Sequence, residues 1–188
     1  NNSIAEWYQQ AYGLSDVWVV KNVPYKQKGT PVKTKHLRDA FGIREDEILF
    51  LYQGIIGYGR GINQLLKVFS KTNSNKHIVF MGYGELIERV KDYARQYPNI
   101  HYHPAVKPKE VILYSASADI GISFIENVCL SYHLCLPNKI FEYINCGLPV
   151  IVSNLPNLAR LIDDHECGWK VPVEVNAIEA IINTITQE

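Results

Sequence analysis

Leu136-Pro137-Asn138-Lys139-Ile140-Phe141-Glu142-Tyr143-Ile144-Asn145-Cys146-Gly147-Leu148-Pro149-Val150-Ile151-Val152-Ser153 reads as an extended entry, a short helix and a buried strand in quick succession. Pro137 forces Leu136 out of the helical region. Asn138 suits the N-cap, and Gly147 stands where a left-handed C-terminal cap is wanted. Val150-Ile151-Val152 then reads as strand. A helix that begins this abruptly turns its free N–H groups and the positive end of its dipole toward the space before it, which suits an anion. Lys139 adds a charge there. Glu142, one turn later on the same face, offers a carboxylate that can accept from two neighbouring hydroxyls. Taken alone, Lys139 and Glu142 fit an ordinary surface pair worth about 0.2–0.5 kcal/mol. Their frame, Pro-Asn before and Gly-x-Pro after, favours a site.

On either side of this stretch, short apolar runs alternate with helical patterns. Ile48 to Tyr52, His77 to Met81, Ile100 to His103 and Asp119 to Ser123 read as strands. Ile62, Leu65, Leu66 and Phe69 recur at helical spacing, as do Leu86, Val90 and Tyr93 before Pro98. Val111 to Ser117 makes a helical turn or two, Leu158 to Ile162 is helical, Gly168 to Val171 is extended, and Ala177 to Thr186 forms a last helix. Continuous apolar strands alternating with helices predict an α/β class: a Rossmann-like, doubly wound parallel sheet covered on both faces. Ligands of such sheets lie at the carboxyl ends of the strands. The special residues gather there: Gly54 to Gly61, Gly82 to Glu85, the Pro104–Val106 turn and the loop from Glu126 to Asn138.

Residues 1–24 differ. Ile4 to Tyr12 is helix-like, and Val17 to Val20 reads as a strand running into Asn22-Val23-Pro24. The polar segment Lys26 to Lys35 then separates them from the α/β pattern. This divides the chain into a tail of a preceding domain with its linker (1–24) and a ligand-binding domain (25–188). The first residue is Asn1, so the chain reads as a piece excised from a longer protein.

Composition excludes several classes. Hydrophobic residues make up 47% and charged residues 20% of 188, which supports a sizeable core. Lysine plus arginine equals aspartate plus glutamate at 19 each, without the basic excess of a nucleic-acid binder. Cys129, Cys135, Cys146 and Cys167 form no C-x-x-C pair, which fits reduced thiols in a cytoplasmic protein. No apolar run reaches the ~18 residues of a membrane span. Neutral charge leaves peripheral membrane association of a longer protein open.

The candidate loops carry competing readings. In Gly57-Tyr58-Gly59-Arg60-Gly61 the glycines let a backbone approach phosphate, and Arg60 can grip its oxygens bidentately. The alternative is a flexible turn with a surface arginine. A nicotinamide fingerprint is disfavoured, since the spacing is not G-x-G-x-x-G and Met81-Gly82 stands where an acid should close the second strand. Gly82-Tyr83-Gly84-Glu85 repeats the strand–glycine–helix order, which a tight turn explains equally well. His101 and His103 share one strand face as two metal ligands would, but without a third ligand they read as solvated edge histidines. His133 either touches a ligand or merely occupies its loop.

Together these residues resemble retaining glycosyltransferases of family 4, in the two-domain GT-B architecture. The carriers are Pro137-Asn138-Lys139-Ile140-Phe141-Glu142-Tyr143 with Gly147-Leu148-Pro149-Val150-Ile151, Asn22-Val23-Pro24, Tyr52-Gln53-Gly54 with Gly59-Arg60-Gly61, Val79 to Gly84, and Ala118 to Ser123. The resemblance implies a donor-binding half that takes a UDP-, GDP- or dTDP-linked sugar without a bound metal or other cofactor. Arg60 and the helix start at Asn138 and Lys139 would face the diphosphate, Glu142 the ribose hydroxyls, and backbone near Val106 the base. Gly54, Gly59, Gly82 and Gly84 would shape the binding loops, and Arg60 and Glu142 would carry the catalytic contribution of this half. A glycan or lipid-linked acceptor would bind the other half, at the inner face of a bacterial membrane. The sequence departs from the family in two places. Ile55 stands where many members carry arginine after the glycine. Leu134, eight positions before Glu142, replaces the first of two paired glutamates, with Glu126 a candidate substitute. Rival readings are a non-catalytic nucleotide- or sugar-binding module and a sugar-nucleotide epimerase of similar build.

Overall fold

The computed structural model describes residues 1–24 and 32–186. In chain order the elements are α1 (Asn2–Tyr12), α2 (His36–Phe41), β1 (Ile48–Ile55), α3 (Ile62–Phe69), β2 (Lys76–Tyr83), α4 (Ile87–Gln96), β3 (Ile100–Pro104) and α5 (Val111–Ser115). There follow β4 (Ile120–Ser123), α6 (Leu130–His133), α7 (Asn138–Asn145), β5 (Val150–Ser153), α8 (Pro156–His165), β6 (Gly168–Val171) and α9 (Val175–Thr184). All pairings in the six-stranded sheet are parallel, and the strand order is β3-β2-β1-β4-β5-β6. This is the doubly wound order of a Rossmann-like fold, with its topological switch between β1 and β4.

The period of two along the strands sorts the core into two layers. Phe50 and Tyr52 of β1 point to the face covered by α3, α4 and α9, where Leu65, Phe69, Val90 and Ile178 are buried. Leu49 and Leu51 point to the other face, beneath α2, α5, α7 and α8, with Leu37, Ile140 and Leu158. Because both faces of the central strands are dry, β1, β2, β4 and β5 read as largely apolar runs.

One contact fixes α7 on this sheet. Pairing of β1 with β4 runs from Phe50 to Tyr52 and stops, as the strands part at the switch point. The buried Tyr143 hydroxyl enters this fork, accepting from the Gln53 N–H at 2.9 Å and donating to the Leu51 carbonyl at 3.1 Å. It thereby supplies a partner to a backbone group that β4 no longer reaches. Its ring lies flat over β4, where a Cβ on Gly121 would come within 2.3 Å of it.

Several expectations are corrected. Val17 to Val20 form no strand: Trp18 and Val20 are almost fully exposed and have no neighbouring strand to pair with. Asn138 is not the cap but the first helical residue, since Pro137 has the extended conformation (φ −69°, ψ 141°) and no side chain caps the helix. Gly147 does take the left-handed conformation, with φ 73°. The loop from Glu126 to Asn138 contains α6, and α2, absent from the sequence reading, precedes the sheet. The histidines of β3 are not solvated in the expected way. His101 stacks on His77, with 3.0 Å between their ring nitrogens, and packs at a tilt against Phe41, their ring centroids 4.6 Å apart. The segment read as a linker lies partly outside the described residues, at 25–31.

Residues 1–24 pack on the domain through α1. Asn1 Nδ2 donates to the Leu134 carbonyl at 2.7 Å, and Ser3 Oγ donates to Asn157 Oδ1 at 2.8 Å.

Candidate nucleotide-sugar site

A cavity opens at the carboxyl ends of β1, β2 and β3, against α7. Of the residues singled out from the sequence, Gly54, Gly82, Val106, Lys139 and Glu142 meet in its wall. Met81, Ala105 and Val111 give the far end an apolar surface. The arrangement therefore has an apolar end on β2–β3 and an ionisable end on α7.

Gly54 explains how Lys139 reaches its position. With φ 105° and no side chain, it leaves open the end of β1, where a Cβ would lie 3.9 Å from Lys139 Cε. The lysine crosses this gap from α7, and its Nζ sits 3.9 Å from the centroid of the Tyr52 ring on the opposite face of the strand. A cation over an aromatic face is attracted by the ring quadrupole. Among the described residues the Lys139 side chain makes no hydrogen bond or ion pair, although it is partly buried. Burial foremost, and then the positive charge of Arg60, bring its pKa down to about 7, against the opposing pull of Glu142. Such a lysine lacks an anion.

Glu142 is half-buried. Burial raises its pKa, while a hydrogen bond from Gln53 and the charge of Lys139 act in the opposite direction. The Gln53 amide donates through Nε2 to Glu142 Oε2, and Gln53 Oε1 accepts from Ser115 Oγ at 2.6 Å. Gln53 is 4% exposed and Ser115 not at all. In the sequence Gln53 stands only within the run Tyr52-Gln53-Gly54 and Ser115 within a helical turn, and neither has a role there, since a Gln on a strand and a Ser at a helix end carry no spacing signal.

The remaining candidates lie outside this wall. Arg60 is stacked on Tyr132, its Cζ 4.7 Å from the ring centroid. Gly59 belongs to a neighbouring depression with Tyr58 and Glu126. Its loop is pinned from two sides, by Glu85 Oε1 accepting from the Tyr58 N–H and Glu126 Oε1 accepting from the Gly61 N–H, each at 3.2 Å. Glu126 thus ties down the loop at the start of α3. Gly84 is required by backbone packing, since a Cβ there would come within 2.3 Å of the Ile56 carbonyl oxygen. Gly82 is constrained in the same way, 1.8 Å from the Gly54 carbonyl, so its absent side chain serves the strand pairing as well as the cavity. Asn138 faces a separate groove beside Asn1 and residues 20–23. His133 pairs with Asn127 at 3.2 Å. Among the described residues no cluster of three or more His, Cys, Asp or Glu could hold a metal ion, and no helix is long and apolar enough to cross a membrane.

A six-stranded parallel sheet in this order, with its cleft at the carboxyl ends beside the switch point, is one half of the GT-B glycosyltransferase architecture. The chain belongs to the family described as "Glycosyl transferases group 1", which matches residues 33–188. Solved structures with the same fold include WaaG, a glycosyltransferase involved in lipopolysaccharide biosynthesis (18% identity over 78% of this chain and 41% of that one, TM-score 0.57). Anabaena Alr3699/HepE, solved in complex with UDP and glucose, is similar at 17% identity over 80% of this chain and 41% of that one, with a TM-score of 0.62. The lipopolysaccharide outer core galactosyltransferase WaaB matches at 16% identity over 93% of this chain and 49% of that one, also with a TM-score of 0.62. The chain therefore spans between 41% and 49% of the length of these three structures. No curated protein matches the chain.

Proposed function

We propose that this chain is the donor-binding half of a retaining, nucleotide-sugar-dependent glycosyltransferase that builds a polysaccharide or glycoconjugate. The observation that carries the reading is the convergence of Lys139 and Glu142 on one cavity with an apolar end. The base lies against Met81 and Val111 and is read by backbone near Val106, the ribose hydroxyls donate to Glu142, and the diphosphate meets Lys139 and the first turn of α7. Arg60 releases Tyr132 and closes on the diphosphate from the glycine loop. Fixed positive groups aimed at a leaving diphosphate stabilise the charge that develops as the glycosidic bond breaks. Catalysis in this half consists of that stabilisation, without a protein-bound metal. The complex of Anabaena HepE with UDP and glucose supports a uridine donor, with GDP- and dTDP-sugars as alternatives. A glycan or lipid-linked acceptor binds the other half of the enzyme, at the cytoplasmic face of the membrane, so residues 1–188 alone bind nucleotide but transfer little sugar.

Calorimetric titration with UDP, GDP, ADP and dTDP tests this. At least one binds, and both Arg60→Ala and Glu142→Ala weaken it about tenfold or more, the order expected for loss of a charged hydrogen-bond partner. Binding by none of the four, or indifference to both substitutions, refutes the reading. Leu134 in place of the first paired glutamate favours one other reading, a binding module without transfer activity. Assay of the full-length protein for sugar transfer separates the two.

A further inference from the structure

We infer that Gln53, held by Ser115, is a positioning residue that sets both the charge state and the orientation of Glu142 toward its ligand. The inference rests on the nucleotide-sugar reading above. A glutamine amide has a donor end and an acceptor end, and only its surroundings decide which way it points. Here both ends are engaged and the whole side chain is buried, so its direction is fixed. The Ser115 hydroxyl donates to Oε1 at 2.6 Å, which leaves Nε2 directed at Glu142 Oε2. The reverse orientation would set a carbonyl oxygen against a carboxylate. Ser115, completely buried on α5, acts as the latch.

The backbone makes Gln53 a rigid mount. Its N–H is bound by the Tyr143 hydroxyl at 2.9 Å, and Tyr143 directly follows Glu142 on α7. The end of β1 and the first turns of α7 are therefore joined twice, once through the Gln53 backbone and once through its side chain. Glu142 Oε2 is committed to the amide, and Oε1 is the oxygen offered to the cavity. Tethering Oε2 sets the plane of the carboxylate, so that Oε1, with its two lone pairs, is held in one direction to accept from the two hydroxyls of a vicinal diol. The amide also donates to the charged form. It thereby opposes the burial that would protonate Glu142, as hydrogen bonds to a carboxylate do.

The other titratable groups facing Glu142 are Lys139 on the preceding turn of α7, which favours its charged form, the Tyr143 hydroxyl, kept protonated because burial raises its pKa, and Cys146 on the turn after, which is neutral at pH 7 with a pKa pushed up to about 11 by burial. Gln53→Met keeps the length of the side chain and removes the donor. Ser115→Ala removes only the latch.

The experiment uses the full chain with UDP, GDP and ADP, each paired with its 2′,3′-dideoxy counterpart, and reads the ratio of the two affinities. The wild type prefers the ribonucleotide about tenfold or more, and Glu142→Gln abolishes most of that preference. Gln53→Met reduces the ratio toward the Glu142→Gln value, and Ser115→Ala reduces it by a smaller factor. In Gln53→Met the loss of ribonucleotide affinity on acidification also begins at higher pH than in the wild type, because Glu142 protonates earlier. A general packing defect would lower both affinities together and leave the ratio and the acid limb unmoved. Should Gln53→Met fail to fold, Ser115→Ala and its pH profile decide. If the wild type discriminates and Glu142→Gln does not, but neither variant changes the ratio or the profile, Gln53 has no positioning role while the donor site stands. If dTDP alone binds, the ligand offers no diol and this inference fails while the donor site stands; if none of the three ribonucleotides nor dTDP binds, the donor-site reading fails and this inference fails with it.

Discussion

Lys139 is where the chemistry is most exposed to test. An ammonium without an acceptor, over a ring and beside another cation, loses its proton more readily than a solvated lysine, and its pKa is about 7. A diphosphate restores the usual preference for the charged form. Nucleoside diphosphate binding at pH 8 therefore takes up about one proton per site. Measured heats will depend on the ionisation enthalpy of the buffer at pH 8 in the wild type, and not in Lys139→Met, since the terminal phosphate (second pKa about 6) is already fully ionised there. Tyr143 allows a prediction of stability. Tyr143→Phe leaves the Gln53 N–H buried without its partner, at a cost of about 1–3 kcal/mol in urea unfolding. The sequence disclosed Lys139 and Glu142 because their spacing on a helix is legible. It did not disclose that Lys139 crosses the sheet to Tyr52, because that depends on a gap left by Gly54, 85 positions earlier.

Among the elements, β3 carries a pH response. His101 is pushed down to about 4 by burial and by His77, which is itself lowered mainly by burial. The unfolded chain takes up these protons near pH 6.5. Above pH 6.5 both states hold neutral imidazoles and nothing is lost. As pH falls from 6.5 toward 4, the unfolded state binds protons first and stability declines, by roughly 3 kcal/mol for His101 alone. His101→Phe flattens this decline, which chemical denaturation at pH 7 and pH 4.5 measures; an unchanged slope would contradict the assignment. Strands and long helices were legible from apolar period and glycine placement. The misread elements have separate causes: Val17 to Val20 has the apolar residues of a strand but pairs with no strand of the sheet. α6, of four residues, is too short to display a period. The metal reading and the solvated reading of His101 both missed Phe41 and His77, because neither neighbour lies close to it in the chain.

For the molecule as a whole, the two-layer core separates stability from recognition. The layer under α3 and α9 meets the cavity end chiefly through Tyr52, which underlies Lys139, whereas the layer under α5 and α7 supports Gln53, Ser115 and Glu142. Leu65→Ala, in the first layer, lowers unfolding free energy by about 2–5 kcal/mol and leaves the nucleotide affinity of the folded protein unchanged. Ile140→Ala, one turn into α7, lowers both. Comparing unfolding curves with calorimetric affinities distinguishes the two; equal loss of affinity in both variants would refute the separation. The doubly wound class was legible because the four central strands, β1, β2, β4 and β5, are buried on both faces along most of their length. The direction in which each buried polar side chain points was not, since it is set by partners from β1, α5 and α7 that meet only in the folded chain.

Tyr143 and Gly121 also constrain how this chain can change. The ring fills the space that any side chain at 121 would need. Enlarging the one position without shrinking the other pushes α7 outward, while shrinking the other alone leaves a void and a severed anchor. Viable descendants must alter the two sites together or keep both, so these positions should be inherited as a unit, like a lock and the key cut for it.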